Sequence, residues 1–156
     1  MSRRALPFGA CALLLLAACG GGEPAGNPDD EQAIHETLSA YVVALGEAYR
    51  GRDASALEEV AVPKEVAAVG RLIDEQAARG QYLDPVLQEM TIEDLRPWNV
   101  SNAFATTLEV WDVHLRAIGS DALVRESTGQ SQRVKYQLKR LDGRWKVLFR
   151  EVQNLQ

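Results

Sequence analysis

The chain has 156 residues, of which 46% are hydrophobic and 25% charged, with a formal net charge of −5. That length holds one domain and not comfortably two, and the composition excludes a disordered or fibrous chain. The acidic balance argues against nucleic acid as a partner, because its binders usually carry a basic surplus.

The charge is unevenly placed. Residues 20–112 carry 6 basic and 18 acidic side chains, whereas residues 113–156 carry 9 basic and 4 acidic ones. Two readings follow. Either the two halves attract one another in the folded protein, or the last strands present a surface to anions or lipid headgroups.

The first segment reads "MSRRALPFGACALLLLAAC". Arg3 and Arg4 form a short basic start, an apolar stretch runs from Ala5 to Ala18, and small residues close it. This is the three-part layout of a secretory signal. The apolar stretch is 14 residues long, short of the roughly 20 that a bilayer-spanning helix needs. Its ending, Leu16-Ala17-Ala18-Cys19, resembles the lipobox of bacterial lipoprotein signals. A branched apolar residue stands three before the cysteine, with two small residues between.

That resemblance implies that residues 1–18 are removed as a signal peptide and that Cys19 becomes a lipid-bearing first residue. A thiol suits thioether attachment of a diacylglycerol, and small neighbours admit the enzymes. Each buried methylene of an acyl chain such as palmitate contributes about 0.8 kcal/mol, and one chain anchors only marginally, so two or three are needed. The implied address is the extracytoplasmic cell envelope, with the membrane as partner through Cys19. Gly20, standing where an aspartate would signal inner-membrane retention, favours the outer membrane in a diderm host. The residues leave open an uncleaved apolar N-terminus with Cys19 a bystander. With Cys11 removed and Cys19 lipidated, the mature domain has no disulfide or thiol chemistry.

Residues 20–30, "GGGEPAGNPDD", combine glycine, proline and acids with nothing to bury, and read as a flexible tether. The predicted organisation is therefore a signal peptide over 1–18, a lipidated cysteine and tether over 19–30, and one domain over 31–156. Helix chemistry begins at the end of the tether. Asn27 can cap, Pro28 suits a first turn, and Asp29, Asp30 and Glu31 face the positive dipole end. Ile34, Leu38, Tyr41, Val42, Leu45 and Tyr49 then recur at helical steps, predicting a helix over about 28–50 that ends at Gly51. Asp53 can cap a short second helix burying Leu57 and Val60. Pro63 opens a third, with Val66, Val69, Leu72, Ile73 and Ala77 as its buried stripe and Gly80 closing it.

From Pro85 the period changes to two, and residues 86–96, 103–118, 130–141 and 144–153 read as strands. In "RVKYQLKRL", Val134, Tyr136 and Leu138 alternate with Arg133, Lys135, Gln137 and Lys139. Asp142-Gly143 is a hairpin signal, and Trp145, Val147 and Phe149 repeat the inward pattern. Asn99-Val100-Ser101, a glycosylation-type sequon, reads as the turn between the first two strands. The expected fold class is α+β, with N-terminal helices packed on a curved four-stranded antiparallel sheet.

The helical first part, "RGQYLD" and the closing "VKYQLKRLDGRWKVLFREV" together resemble the cone-shaped nuclear-transport-factor-2-like (cystatin-like) superfamily. Within it they are similar to the intermembrane-space-end domain of chloroplast division proteins. The resemblance covers about residues 33–153 and is carried most by Tyr136, Leu138, Gly143, Trp145 and Val147. Those residues are fold chemistry, so they imply the cone rather than an activity. The related domains serve chiefly as membrane-associated binding modules, and other branches are enzymes.

Two candidate sites follow. Asp112 and His114 in "LEVWDVHLRA" stand two apart on a strand and project from one face about 7 Å apart. They would form the base and proton shuttle of an isomerase or hydratase. Against this, Trp111, Val113, Leu115 and Ala117 form the apolar face, which points Asp112 and His114 to solvent. Phe104, Leu108 and Val110 have the opposite parity, predicting a bulge near Glu109. For ligand binding, Tyr82, Trp98, Trp111 and Trp145 are the candidate pocket, and Arg133, Lys135, Lys139, Arg144, Lys146 and Arg150 the candidate basic surface. No catalytic residue is otherwise assigned. His35 is a boundary residue of the first helix, and two distant histidines give no metal-ligand spacing. No phosphate-cradling glycine motif or nucleophile elbow is present, so neither cofactor nor metal is expected.

The favoured reading is a non-catalytic, membrane-anchored module that binds a partner protein or a small apolar ligand. The enzyme with Asp112 and His114 is its rival, and a mainly structural envelope lipoprotein is the third possibility.

Overall fold

The computed structural model describes residues 27–154. Cys11, the lipobox with Cys19, and residues 20–26 of the proposed tether lie outside them. The order is helix α1 (Pro28–Gly51), a single 3-10 turn (Ala54–Leu57), helix α2 (Pro63–Ala77), then strands β1 (Gln81–Asn99), β2 (Asn102–Ala117), β3 (Leu123–Leu141) and β4 (Arg144–Asn154). Among the described residues no helix is long and apolar enough to cross a membrane.

Helix α1 starts where capping chemistry puts it. The Asn27 side chain accepts from the Asp29 amide at 3.2 Å, and Pro28 fills the first turn. Residues 28–30 therefore belong to the helix rather than to the tether, and Asp30 is ion-paired with Arg140. The left-handed C-cap falls on Arg52, with φ 58°, one residue past Gly51. The predicted second helix is a single turn, capped by the Asp53 side chain. In α2 the buried positions are Glu65, Val69 and Ile73, each four apart, a narrow stripe for a helix covered on one side. Leu72, 48% exposed, and Ala77 lie outside that stripe, contrary to the sequence reading.

The four strands form an antiparallel meander in the order β1-β2-β3-β4. β1 begins before Pro85 because an edge strand has one row of N–H groups with no ladder partner to lose. β3 begins seven residues earlier than expected and passes through a bulge at Gly129, whose φ of 61° suits glycine. Asn99 Oδ1 accepts from the Ser101 amide at 2.9 Å to close the first hairpin. Asp142 and Gly143, with φ 50° and 78°, form the left-handed pair that a tight two-residue hairpin needs.

Bulges bend this sheet into a cone. β1 carries extra residues at Gln88, Glu93 and Trp98, and β4 carries one at Leu148. Each adds local twist. β2, by contrast, keeps one parity: Ala103, Ala105, Thr107, Glu109, Trp111 and Leu115 are all buried on the inner face. The bulge expected near Glu109 is absent from β2, and Phe104 faces outward. Small inner residues leave room for the large side chains of α1 and β3.

Ile34, Leu38, Tyr41 and Leu45 of α1 pack on Val134, Tyr136, Leu138, Trp145 and Val147 to make one core. Tyr41 and Tyr136 meet edge to face, with centroids 5.7 Å apart. Many late cations pair with early acids: Arg116 with Asp84, Arg133 with Glu93, and Arg144 with Glu59. The charge asymmetry of the sequence thus serves internal pairing.

Leu38→Ala opens a cavity under α1 and is expected to lower unfolding free energy by about 2–5 kcal/mol. Leu72→Ala is expected to change it by no more than about 0.5 kcal/mol. Denaturant melts of the two variants check the assigned faces, and equal losses would contradict them.

Candidate functional site

The site is created by the β4 bulge. Val147 lies opposite Leu138 and Phe149 opposite Gln137, so Leu148 is the extra residue. Phe149 is consequently turned outward, 48% exposed, and Arg150 is turned in, opposite Tyr136. Simple alternation placed Arg150 on the outer basic surface. The structure buries it instead, with only 17% of its side chain exposed.

Beside it stands Glu109 of β2, 0% exposed. Its Oε1 accepts from the Tyr136 hydroxyl at 2.7 Å and from Thr107 Oγ1 at 2.8 Å. Its Oε2 accepts from Trp111 Nε1 at 2.8 Å and from Gln132 Nε2 at 3.2 Å. Two donors on each oxygen use the full acceptor capacity of a carboxylate. A buried charge is tolerated only when bonded in this way. Arg150 Nη2 lies 3.9 Å from Oε2, near enough to offset the charge but too far for a hydrogen bond.

A second acid completes the network. Glu65 of α2 is buried and accepts from the Tyr41 hydroxyl at 2.7 Å. Burial, and next the adjacent Glu65, push the Tyr41 phenol well above its ordinary pKa. Burial does the same to Tyr136, with Arg150 pulling the other way and Glu109 adding to the rise. Both phenols therefore remain protonated donors. Burial also disfavours the Arg150 charge, but Tyr136, Tyr41 and Glu109 outweigh it and raise the guanidinium pKa.

Arg150 and Tyr49 separate two cavities. The first, about 150 Å³, opens between α1 and the sheet and is walled by Leu45, Leu83, Pro85, Trp111 and Val113, with Gln130 and Gln132 at its polar side. The second, about 240 Å³, lies between α2 and β4, with Lys64, Glu65, Arg71, Leu72 and Phe149 around it.

The residues singled out in the sequence are dispersed. Asp112 and His114 lie on the outer face of β2, opposite to the cavities. Asp112 accepts from the Gly129 amide at 2.7 Å and from Gln88 Nε2 at 2.8 Å, while His114 Nε2 meets Glu126 at 2.9 Å. Each is held by its own partners, which leaves no shared acid–base pair. Of the four pocket aromatics, Trp111 alone lines the first cavity. Tyr82 donates to Asp121, Trp145 is buried beneath the Arg140 guanidinium, and Trp98 stands 66% exposed beside Phe104.

The basic surface is also broken up. Arg133 is bonded through two nitrogens to Glu93, Arg144 to Glu59, and Lys146 to the Glu58 carbonyl. Lys135 and Lys139 are exposed, with no hydrogen-bonding or ionic partner among the described residues. Sequence reasoning missed Glu109, Glu65, Tyr41 and Tyr136 as a polar group. The signal was Thr107-x-Glu109-x-Trp111, three polar heads on one strand face.

No family model matches the chain, and no curated protein matches it. Solved structures do. The intermembrane-space region of the chloroplast protein ARC6 superposes with a TM-score of 0.68 at 12% identity, covering 85% of this chain and 100% of that one. A candidate dehydratase of the NTF2-like family from Streptomyces avermitilis gives 0.56 at 14% identity, covering 83% and 99%. A Caulobacter vibrioides protein with a cystatin-like fold gives 0.53 at 13% identity, covering 82% and 91%. The chain shares their NTF2-like, cystatin-like cone fold, and identities this low carry the likeness no further.

Glu109→Gln puts an amide donor among four donors and leaves Arg150 without its counter-charge. An expected loss of about 3–5 kcal/mol follows. Asp112→Asn, on the outer face, is expected to cost about 1 kcal/mol or less. Thermal or denaturant unfolding of both separates them, and a neutral Glu109→Gln would refute the network.

Proposed function

We propose that the protein is a lipid-anchored lipoprotein of the bacterial envelope whose cone is a non-catalytic binding module. Its ligand is small and mainly apolar, and sits in the cavity between α1 and the sheet. One observation carries this reading: the cavity is open and apolar-walled, and the carboxylate nearest to it, Glu109, is shut behind Trp111 and Gln132 with every lone pair taken. A general base needs an accessible lone pair, and a binding wall does not.

Size sets the ligand class. A cavity of about 150 Å³ lined by aliphatic and aromatic side chains admits a molecule as large as benzene, so one ring or a comparable branched chain fits. The rival reading, an isomerase or hydratase, would need Asp112 and His114 to face that space, and they stand on the other side of the sheet. A protein partner on the basic hairpin is weakened as well, since most of that hairpin's cations are engaged within the chain. Anchoring rests on the lipobox-like Leu16-Ala17-Ala18-Cys19 alone.

Two measurements test the two parts. Protein extracted from bacterial membranes is expected to have the mass of a chain beginning at Cys19 with acyl groups added, and Cys19→Ala is expected to abolish the added mass. A chain still carrying Met1 and no acyl mass would overturn the anchor. For the cavity, ligand-observed NMR on the purified full chain is expected to detect benzyl alcohol. Val113→Phe is expected to weaken that binding about tenfold by filling the space, and undiminished binding would place the ligand elsewhere.

A further inference from the structure

We infer that the ligand of this cavity is a ring-sized organic acid, whose single carboxylate is gripped by Arg150. The inference rests on the reading of the cavity as a ligand site.

Arg150 is a buried guanidinium with an unused donor. Its Nε is enclosed and has no hydrogen-bond partner. Its Nη2 stands 3.9 Å from a Glu109 oxygen that already accepts from Trp111 and Gln132. Glu109 therefore balances the charge of Arg150 without taking up its N–H groups. An orphaned donor in a closed interior is costly, and such groups are normally completed by a partner, water or a ligand. The fork of a guanidinium matches a carboxylate through two parallel hydrogen bonds.

The surroundings narrow the class. Leu45, Leu83, Pro85 and Trp111 give the ligand body an apolar bed, while Arg150 borders the same space. Lys64 and Arg71 flank the opening on the far side of Arg150, adding positive charge there. Glu109 and Glu65 are also near, and they set an upper limit on the charge that can enter. Arg150, Lys64 and Arg71 together exceed Glu109 and Glu65 by one positive charge, which matches a monoanion and not a phosphate dianion. A neutral alcohol fits the apolar bed, but its single hydroxyl oxygen accepts without charge and does not span the guanidinium fork.

The test compares benzoate, benzyl alcohol and inorganic phosphate on the purified full chain at fixed ionic strength and mildly alkaline pH, where phosphate is mostly the dianion. Benzoate is expected to bind about tenfold more tightly than benzyl alcohol, the advantage of one charge-assisted contact. Benzoate is also expected to shift the Arg150 Nε–H resonance further than benzyl alcohol does at saturation, and phosphate is not expected to compete. Arg150→Met keeps the stem and is expected to equalise the two ring ligands. Should that variant unfold, the wild-type affinities and the Nε–H shift decide alone. Equal affinities, or benzoate binding that leaves the Arg150 resonance unmoved, would overturn the carboxylate assignment and leave the cavity reading standing. If neither ring ligand binds, the cavity reading falls and this inference with it.

Discussion

A carboxylate with no exposed surface, bonded by four donors from two strands, governs the interior of this cone. Glu109 draws Thr107 and Trp111 from its own strand and Tyr136 and Gln132 from the next. A half-satisfied charge would cost several kcal/mol, so the set forms together or not at all. That requirement fixes the register of β2 against β3 more tightly than apolar contacts alone, because a one-residue slip would send Glu109 to the outer face. The β4 bulge brings Arg150 to within 3.9 Å of the same carboxylate.

The same network divides the work of the inner face. Around the middle of α1 the core is filled by Ile34, Leu38, Trp145 and Val147. Towards the Gly51 end of the helix, beyond the tyrosines and Arg150, it opens into cavities. Polar residues mark the border between filled and open space. There, Arg150 Nε is buried without a hydrogen-bond partner.

Much of the architecture was legible because it rests on local chemistry. Asn27-Pro28 and the acids after it set the start of α1, the alternation around Tyr136 set β3, and Asp142-Gly143 set the last turn. What was hidden depends on single-residue insertions. Nothing near Leu148 distinguishes a bulge from plain alternation, so Phe149 and Arg150 exchanged faces relative to the sequence reading. Gln88 and Glu93 hide the same way in β1. In β2 the error came from weighting bulk: Phe104, Leu108 and Val110 outweigh Ala103, Ala105 and Thr107 in hydrophobicity, yet the smaller residues face in. Asp112 and His114 drew notice because their chemistry is familiar, whereas Glu109, one residue off their row, held the interior.

Helix α1 also separates two ends of the molecule. The chain enters the domain at Asn27, where Asp30 clasps Arg140 beside the Asn99–Ser101 turn. Leu45 and Tyr49, at the mouth of the first cavity, stand roughly 25–30 Å further along the helix axis. The lipid anchor proposed at Cys19 would pull on the pole remote from that mouth. Entry of the proposed ligand and load from the proposed anchor would thus act on opposite ends of the domain.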